Sequence, residues 1–147
     1  MGGLSLTVVV TGPTSGIGLQ IARELGTDGA RLVLACRDRA KGEAVAAELR
    51  QLGSSGVLVK EYDAASAPSI AALAGSCAAD LSRIDVLVNN AGVARGQRHV
   101  TSEASELPFA TNVLGYPPLS LALLEQVRAS APARIVNVAS TFAGDLD

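Results

Sequence analysis

Tryptophan is absent from this chain, and aromatic residues of all kinds make up only 3% of it. The packing of any core therefore falls to Ala, Val and Leu, which suits close helix–sheet contacts. Cysteine is nearly absent too. Cys36 and Cys77 stand alone, with no CxxC and no Cys/His ligand spacing. That excludes a disulfide framework and a zinc knuckle, so no metal site is expected, and the two read as buried thiols in a reducing compartment. No apolar run reaches the roughly 18 residues of a membrane-spanning helix. The N-terminus, MGGLSLTVVVTG, lacks the charged region and apolar stretch of a secretory signal. Net charge is only −2, with both signs interspersed, so there is no basic footprint for nucleic acid or an acidic membrane. These absences lead to the expectation of a soluble, cytoplasmic protein with neither a nucleic-acid partner nor a membrane span.

What is present is alternation. The 147 residues suffice for one domain, 1–147, with a real core. Strand-like runs are LTVVV (6–10), RLVLA (31–35), VLVKEY (57–62), DVLVN (85–89) and RIVNV (134–138). Between them Ile70, Leu73, Ala74, Cys77 and Leu81 recur on one helical face, as do Val45, Leu49 and Leu52. Asp38 suits an N-cap, Pro68 a first turn, and Gly29 and Gly53 helix ends. Strands alternating with helices predict right-handed βαβ units, and hence an α/β fold: a doubly wound parallel sheet of five strands. Residues 102–129 have the pattern of the longest helix, but Pro117 and Pro118 interrupt it. Each would cost roughly 3 kcal/mol in a regular helix interior, so the helix must either kink there or end and restart.

The first strand runs into TGPTSGIG, which comprises Thr11, Gly12, Pro13, Thr14, Ser15, Gly16, Ile17 and Gly18. Three glycines after a buried strand allow a tight turn, let backbone N–H groups approach a pyrophosphate, and aim the positive end of the next helix at it. The spacing is one residue wider than the usual dinucleotide fingerprint. At the end of the second strand, an NAD site carries an acidic residue that accepts from the ribose hydroxyls. Here the strand ends in neutral Cys36, and Arg37 follows. A guanidinium can pair with a 2′-phosphate, which favours NADP(H) over NAD(H). The plainer reading of Arg37 is a solvated loop charge beside Asp38 and Arg39.

TGPTSGIG at 11–18, Asp63 after the third strand, NNAG at 89–92, Asn112 in the fourth helix and Ser140 past the fifth strand occur in order. In these motifs the chain resembles the short-chain dehydrogenase/reductases, most closely their retinol-dehydrogenase-like branch. The likeness implies a Rossmann-like domain and oxidoreductase chemistry: hydride transfer between NADP(H) and a carbonyl or secondary alcohol on an apolar small molecule. It implies that Asp63 binds the adenine amino group. Asn89, Asn90, Ala91 and Gly92 would carry the ribose and nicotinamide side. Asn112 would hold a relay water in a distorted helix, and Ser140 would orient the substrate carbonyl. From the residues alone, Asn89 could equally stitch neighbouring loops, Asn112 could be an ordinary mid-helix polar residue, and Ser140 a plain turn serine. His99 sits in a polar loop and is assigned no role.

The family's proton donor is a Tyr with a Lys four residues later. The tyrosines here are Tyr62 and Tyr116 and the lysines Lys41 and Lys60, and no pair has that spacing. The expectation is a chain truncated relative to the family, without its last two strands, their covering helices and the substrate loop. Three readings follow: the cofactor half of an oxidoreductase, a non-catalytic nucleotide-binding or partner module, or a remnant repurposed for other chemistry. Either a homo-oligomer or a second polypeptide covers the fifth-strand edge, or the chain is a truncated product.

Overall fold

Five strands form one sheet in the order β3–β2–β1–β4–β5, and every neighbouring pair is parallel. The structure, a computed structural model, describes residues 5–93, 100 and 106–140. The strands are β1 (Thr7–Thr11), β2 (Arg31–Cys36), β3 (Gly56–Glu61), β4 (Val86–Asn89) and β5 (Arg134–Asn137). Each lies within a residue of its predicted run at either end. Between them lie α1 (Gly16–Thr27), α2 (Arg39–Leu52) and α3 (Ala67–Asp80).

Side chains alternate across the pleat, so each strand feeds two cores. Val8, Val10, Leu32, Leu34 and Val88 pack against Ala22 of α1 and Val45 and Leu49 of α2. Val9, Val33 and Leu87 face the other way, onto Ile70, Leu73 and Cys77 of α3 and onto Leu119, Leu123 and Val127. The face predicted for α3 is buried throughout. The α2 face is not, because Leu52, in the last turn, is exposed. Both cysteines are buried free thiols. Burial pushes Cys77 up to about 11 against the opposing pull of Lys60, and it raises Cys36 as well.

Helix ends follow the sequence. The Asp38 carboxylate accepts from the Lys41 N–H at 3.0 Å and Ser66 caps α3, with Pro68 in its first turn. Gly29 and Gly53 take left-handed φ values of 83° and 110°. The predicted long helix is broken into α4 (Leu107–Phe109), a π turn (Ala110–Leu114), α5 (Tyr116–Ala122) and α6 (Leu124–Arg128). Phe109, Ala110 and Gly115 keep right-handed helical backbone, so the pattern is interrupted by a π turn rather than by a stop. Pro117 and Pro118 fall in the first turn of α5, where backbone N–H groups have no intrahelical partner to lose.

At the sheet's far end, buried Asp85 accepts from the Thr7 N–H at 2.8 Å and from Arg83. β5 pairs with β4 alone among the described strands, and Ile135 and Val136 stay 40% and 42% exposed. On the α1 side of β4 and β5 lies an apolar trough of about 830 Å³.

Candidate functional site

The strand order reverses between β1 and β4, and a cleft of about 1100 Å³ opens there, at the carboxyl ends of the strands. This is where doubly wound sheets bind ligands. One wall is the glycine turn. Gly12, Thr14, Ser15, Gly16 and Ile17 line it. Gly16 has φ +54° with open space around it, so only the backbone conformation demands glycine there. Ser15 is the N-cap of α1 but makes no side-chain cap bond, whereas α2 and α3 are both capped. The positive end of α1 is left facing the cleft, an arrangement that fits a phosphate group.

Thr11 and Gly18 lie behind this wall rather than in it. The Thr11 hydroxyl accepts from the Asn90 and Ala91 N–H groups, both at 2.9 Å, and is itself fully buried. A Cβ on Gly18 would sit 2.2 Å from the Gly12 carbonyl oxygen and 2.3 Å from Asn90 Nδ2. Both residues therefore shape the site without facing a ligand.

The second wall comes from the loop after β4. Asn90, Ala91 and Gly92 line the cleft. Asn90 Nδ2 donates to the Thr11 and Gly12 carbonyls at 3.0 and 3.2 Å. Asn89 is the exception within NNAG, and its expected place at the cofactor is corrected. It is fully buried, and its Nδ2 donates to Ser120 Oγ at 3.0 Å and Asn137 Oδ1 at 2.8 Å. As the last residue of β4 it points into the sheet-helix interior and stitches neighbouring elements.

Asn112 lies in the π turn, in the locally distorted helix expected for it, and lines the cleft. Its amide is committed to the chain, accepting from the Val93 N–H at 2.8 Å and donating to the Val93 carbonyl at 3.0 Å. Ser140 also lines the cleft, two residues past the last backbone bond of β5 to the Asn89 carbonyl.

At the far end sit the groups that follow β2 and β3. Arg37 lines the cleft and makes no ion pair among the described residues, whereas Arg39 pairs with Glu43. Lys41, one turn into α2, joins it. Sequence reasoning passed over Lys41. Asp63 lines the same end, with one carboxylate oxygen accepting from the Ala65 N–H at 2.9 Å. Tyr116, also unforeseen, reaches the cleft from α5, and burial raises its phenol above the ordinary value. His99 lies outside the described residues. No group of three or more metal-ligating side chains occurs among the described residues, and no helix among them is long and apolar enough to cross a membrane.

Comparison with known proteins agrees with this geometry. The short chain dehydrogenase family matches residues 6–145. Human retinol dehydrogenase 12 is 43% identical over 134 residues, 90% of this chain and 42% of that protein. Human retinol dehydrogenase 11 is 45% identical over the same shares of both chains. The chain thus spans less than half the length of these curated relatives. Among solved structures, a metagenomic short-chain oxidoreductase in complex with NADP superposes with TM-score 0.84 at 36% identity, covering 98% of this chain and 66% of that one. A short-chain dehydrogenase from Sphingobium yanoikuyae in complex with NADPH gives 0.81 at 31% identity, covering 95% and 56%. A match that runs through every strand and both cleft walls leaves no other assignment: the chain belongs to the short-chain dehydrogenase family, in its retinol-dehydrogenase-like branch.

Proposed function

We propose that the cleft holds NADP(H) in preference to NAD(H), and that these residues are the cofactor-binding half of an oxidoreductase acting on a carbonyl or secondary alcohol of an apolar small molecule. The observation that carries this reading is Arg37, which makes no ion pair among the described residues and stands at one end of the cleft that also receives the uncapped start of α1; Lys41 lies beside it, 3.7 Å from the Asp38 carboxylate. The last residue of β2, Cys36, is neutral, and the Asp38 carboxylate that lines this end of the cleft is engaged by the Lys41 N–H and ammonium. Two structural relatives hold NADP or NADPH, which supports the same reading.

The chain's residues fit such a cofactor in turn. The N–H groups opening α1 would meet the pyrophosphate, Asp63 the adenine amino group, and Asn90, Ala91 and Gly92 the ribose and nicotinamide side. The nicotinamide, when bound, supplies or accepts the hydride. Ser140, at the same cleft, would orient the substrate's oxygen by a hydrogen bond, while Asn112 holds the loop at Val93 in place.

Calorimetric titration with NADPH and NADH tests the proposal. Saturable binding with NADPH the tighter ligand is expected. Arg37→Ala should weaken NADPH about tenfold, the size of one charge-assisted hydrogen bond, and leave NADH nearly unaffected. Equal affinities for the two cofactors, unaltered by Arg37→Ala, would refute the preference.

No tyrosine among the 147 residues has a lysine four positions later. The proposal therefore expects NADPH binding without turnover by these residues alone, and turnover once a polypeptide carrying that pair is supplied.

A further inference from the structure

The loop after β4 forms a cleft wall but owes its position to side chains on both sides. Thr11 and Asn90 tie it to β1. On the other side the broken helix supplies two ties, Asn112 to both backbone groups of Val93 and the Tyr116 hydroxyl to the Ala91 carbonyl at 3.0 Å. Asn112, in the π turn, and Tyr116, at the start of α5, reach the same loop. Pro117 and Pro118 follow Tyr116 in the first turn of α5, where missing N–H groups cost no intrahelical bond. Close by, a Cβ on Gly115 would lie 2.5 Å from the Ala64 carbonyl, so this turn of chain is pressed against the loop after β3. The Tyr116 phenol is thus anchored at its base and spends its proton on the cleft wall.

We infer that Tyr116 is a positioning residue for the cofactor: its hydroxyl fixes the Ala91 carbonyl and so holds the wall formed by Asn90, Ala91 and Gly92 ready for the ligand. This rests on the cofactor reading above. Its acceptor is backbone, so the effect passes through the loop and needs no contact between Tyr116 and the ligand.

Tyrosine spectroscopy makes the test direct. The chain has two tyrosines and no tryptophan, so in Tyr62→Phe protein all tyrosine emission comes from Tyr116. In that background, NADPH is expected to change Tyr116 emission with the same midpoint as calorimetry. Adding Tyr116→Phe should raise the NADPH Kd about fivefold, the yield of one neutral hydrogen bond. It should also speed amide exchange at Ala91 and Val93 and leave the β1 amides unchanged. Tyr116→Leu, which removes the ring as well, separates packing from the hydrogen bond. Unchanged affinity and exchange in the Phe variant overturn the inference, and so does a loss seen only in the Leu variant. If unmutated protein binds no NADPH, the cofactor reading fails by itself. Amide exchange at Ala91 and Val93 then still decides whether Tyr116 holds the wall: faster exchange in the Phe variant supports it, and unaltered exchange overturns it.

Discussion

Gly18 and Gly75 are both helical glycines, and they should respond to alanine in opposite directions. At Gly18 the new methyl would meet the Gly12 carbonyl and the Asn90 amide well inside contact distance. Backbone on one side leaves little to give, so Gly18→Ala should lose about 1–3 kcal/mol of stability and deform both cleft walls. At Gly75, exposed in α3, nothing lies within 4 Å. Gly75→Ala should gain up to about 1 kcal/mol from backbone entropy. Urea unfolding of the two variants checks both. The contrast also shows what the sequence could reveal of the site. The glycine turn and the strand ends pointed to Gly12, Gly16, Arg37 and Asn90, and the family resemblance added Asp63, Gly92, Asn112 and Ser140; all of them line one cleft. Asn89 was ambiguous, because only the register of β4 decides which of two adjacent amides faces inward. Lys41 and Tyr116 were missed because each reaches the cleft from a helix, and a helical position names a face only once its neighbours are known.

The three long helices differ at their starts, and the difference is testable at that scale. Asp38 caps α2, so Asp38→Ala should cost about 1 kcal/mol by denaturant titration. Ser15 makes no side-chain bond to α1, so Ser15→Ala should change the stability of the ligand-free protein far less. Equal losses would mean that α1 is capped after all. Element types and boundaries were legible within a residue or so for the strands, because β-branched runs bounded by polar turns leave little freedom. The segment before β5 was not. Periodicity announced a helix and the prolines announced trouble, but a π turn at Ala110–Leu114 leaves no mark in composition. Nor does composition show the close approach of the next residue, Gly115, to Ala64, a contact between segments about fifty residues apart in sequence.

Across the whole molecule, the sheet separates its two ends by purpose. The carboxyl ends of the strands open the cleft. The amino ends are closed by Asp85, whose backbone and carboxylate join β1, β4 and β5. Burial alone would raise this carboxyl, but the Arg83 hydrogen bond and the Thr7 N–H outweigh it and hold it below the usual range. A depressed folded-state value means that the stabilisation is fully present above the unfolded value of about 4 and is lost as pH falls through the folded one. Acid unfolding followed by circular dichroism should therefore be less steep in Asp85→Asn, at a cost in stability near neutral pH. An unchanged acid limb would place the acid sensitivity elsewhere. The cleft is the opposite end of the same construction, and its occupancy is the claim on which the rest depends. Amide chemical shifts recorded while NADPH is titrated into the ¹⁵N-labelled chain test it most directly. Saturable shifts centred on residues 12–18, Arg37, Lys41, Asp63 and 90–93 are predicted. Saturation without shifts there, or with shifts along the apolar trough beside β4 and β5 instead, would contradict it.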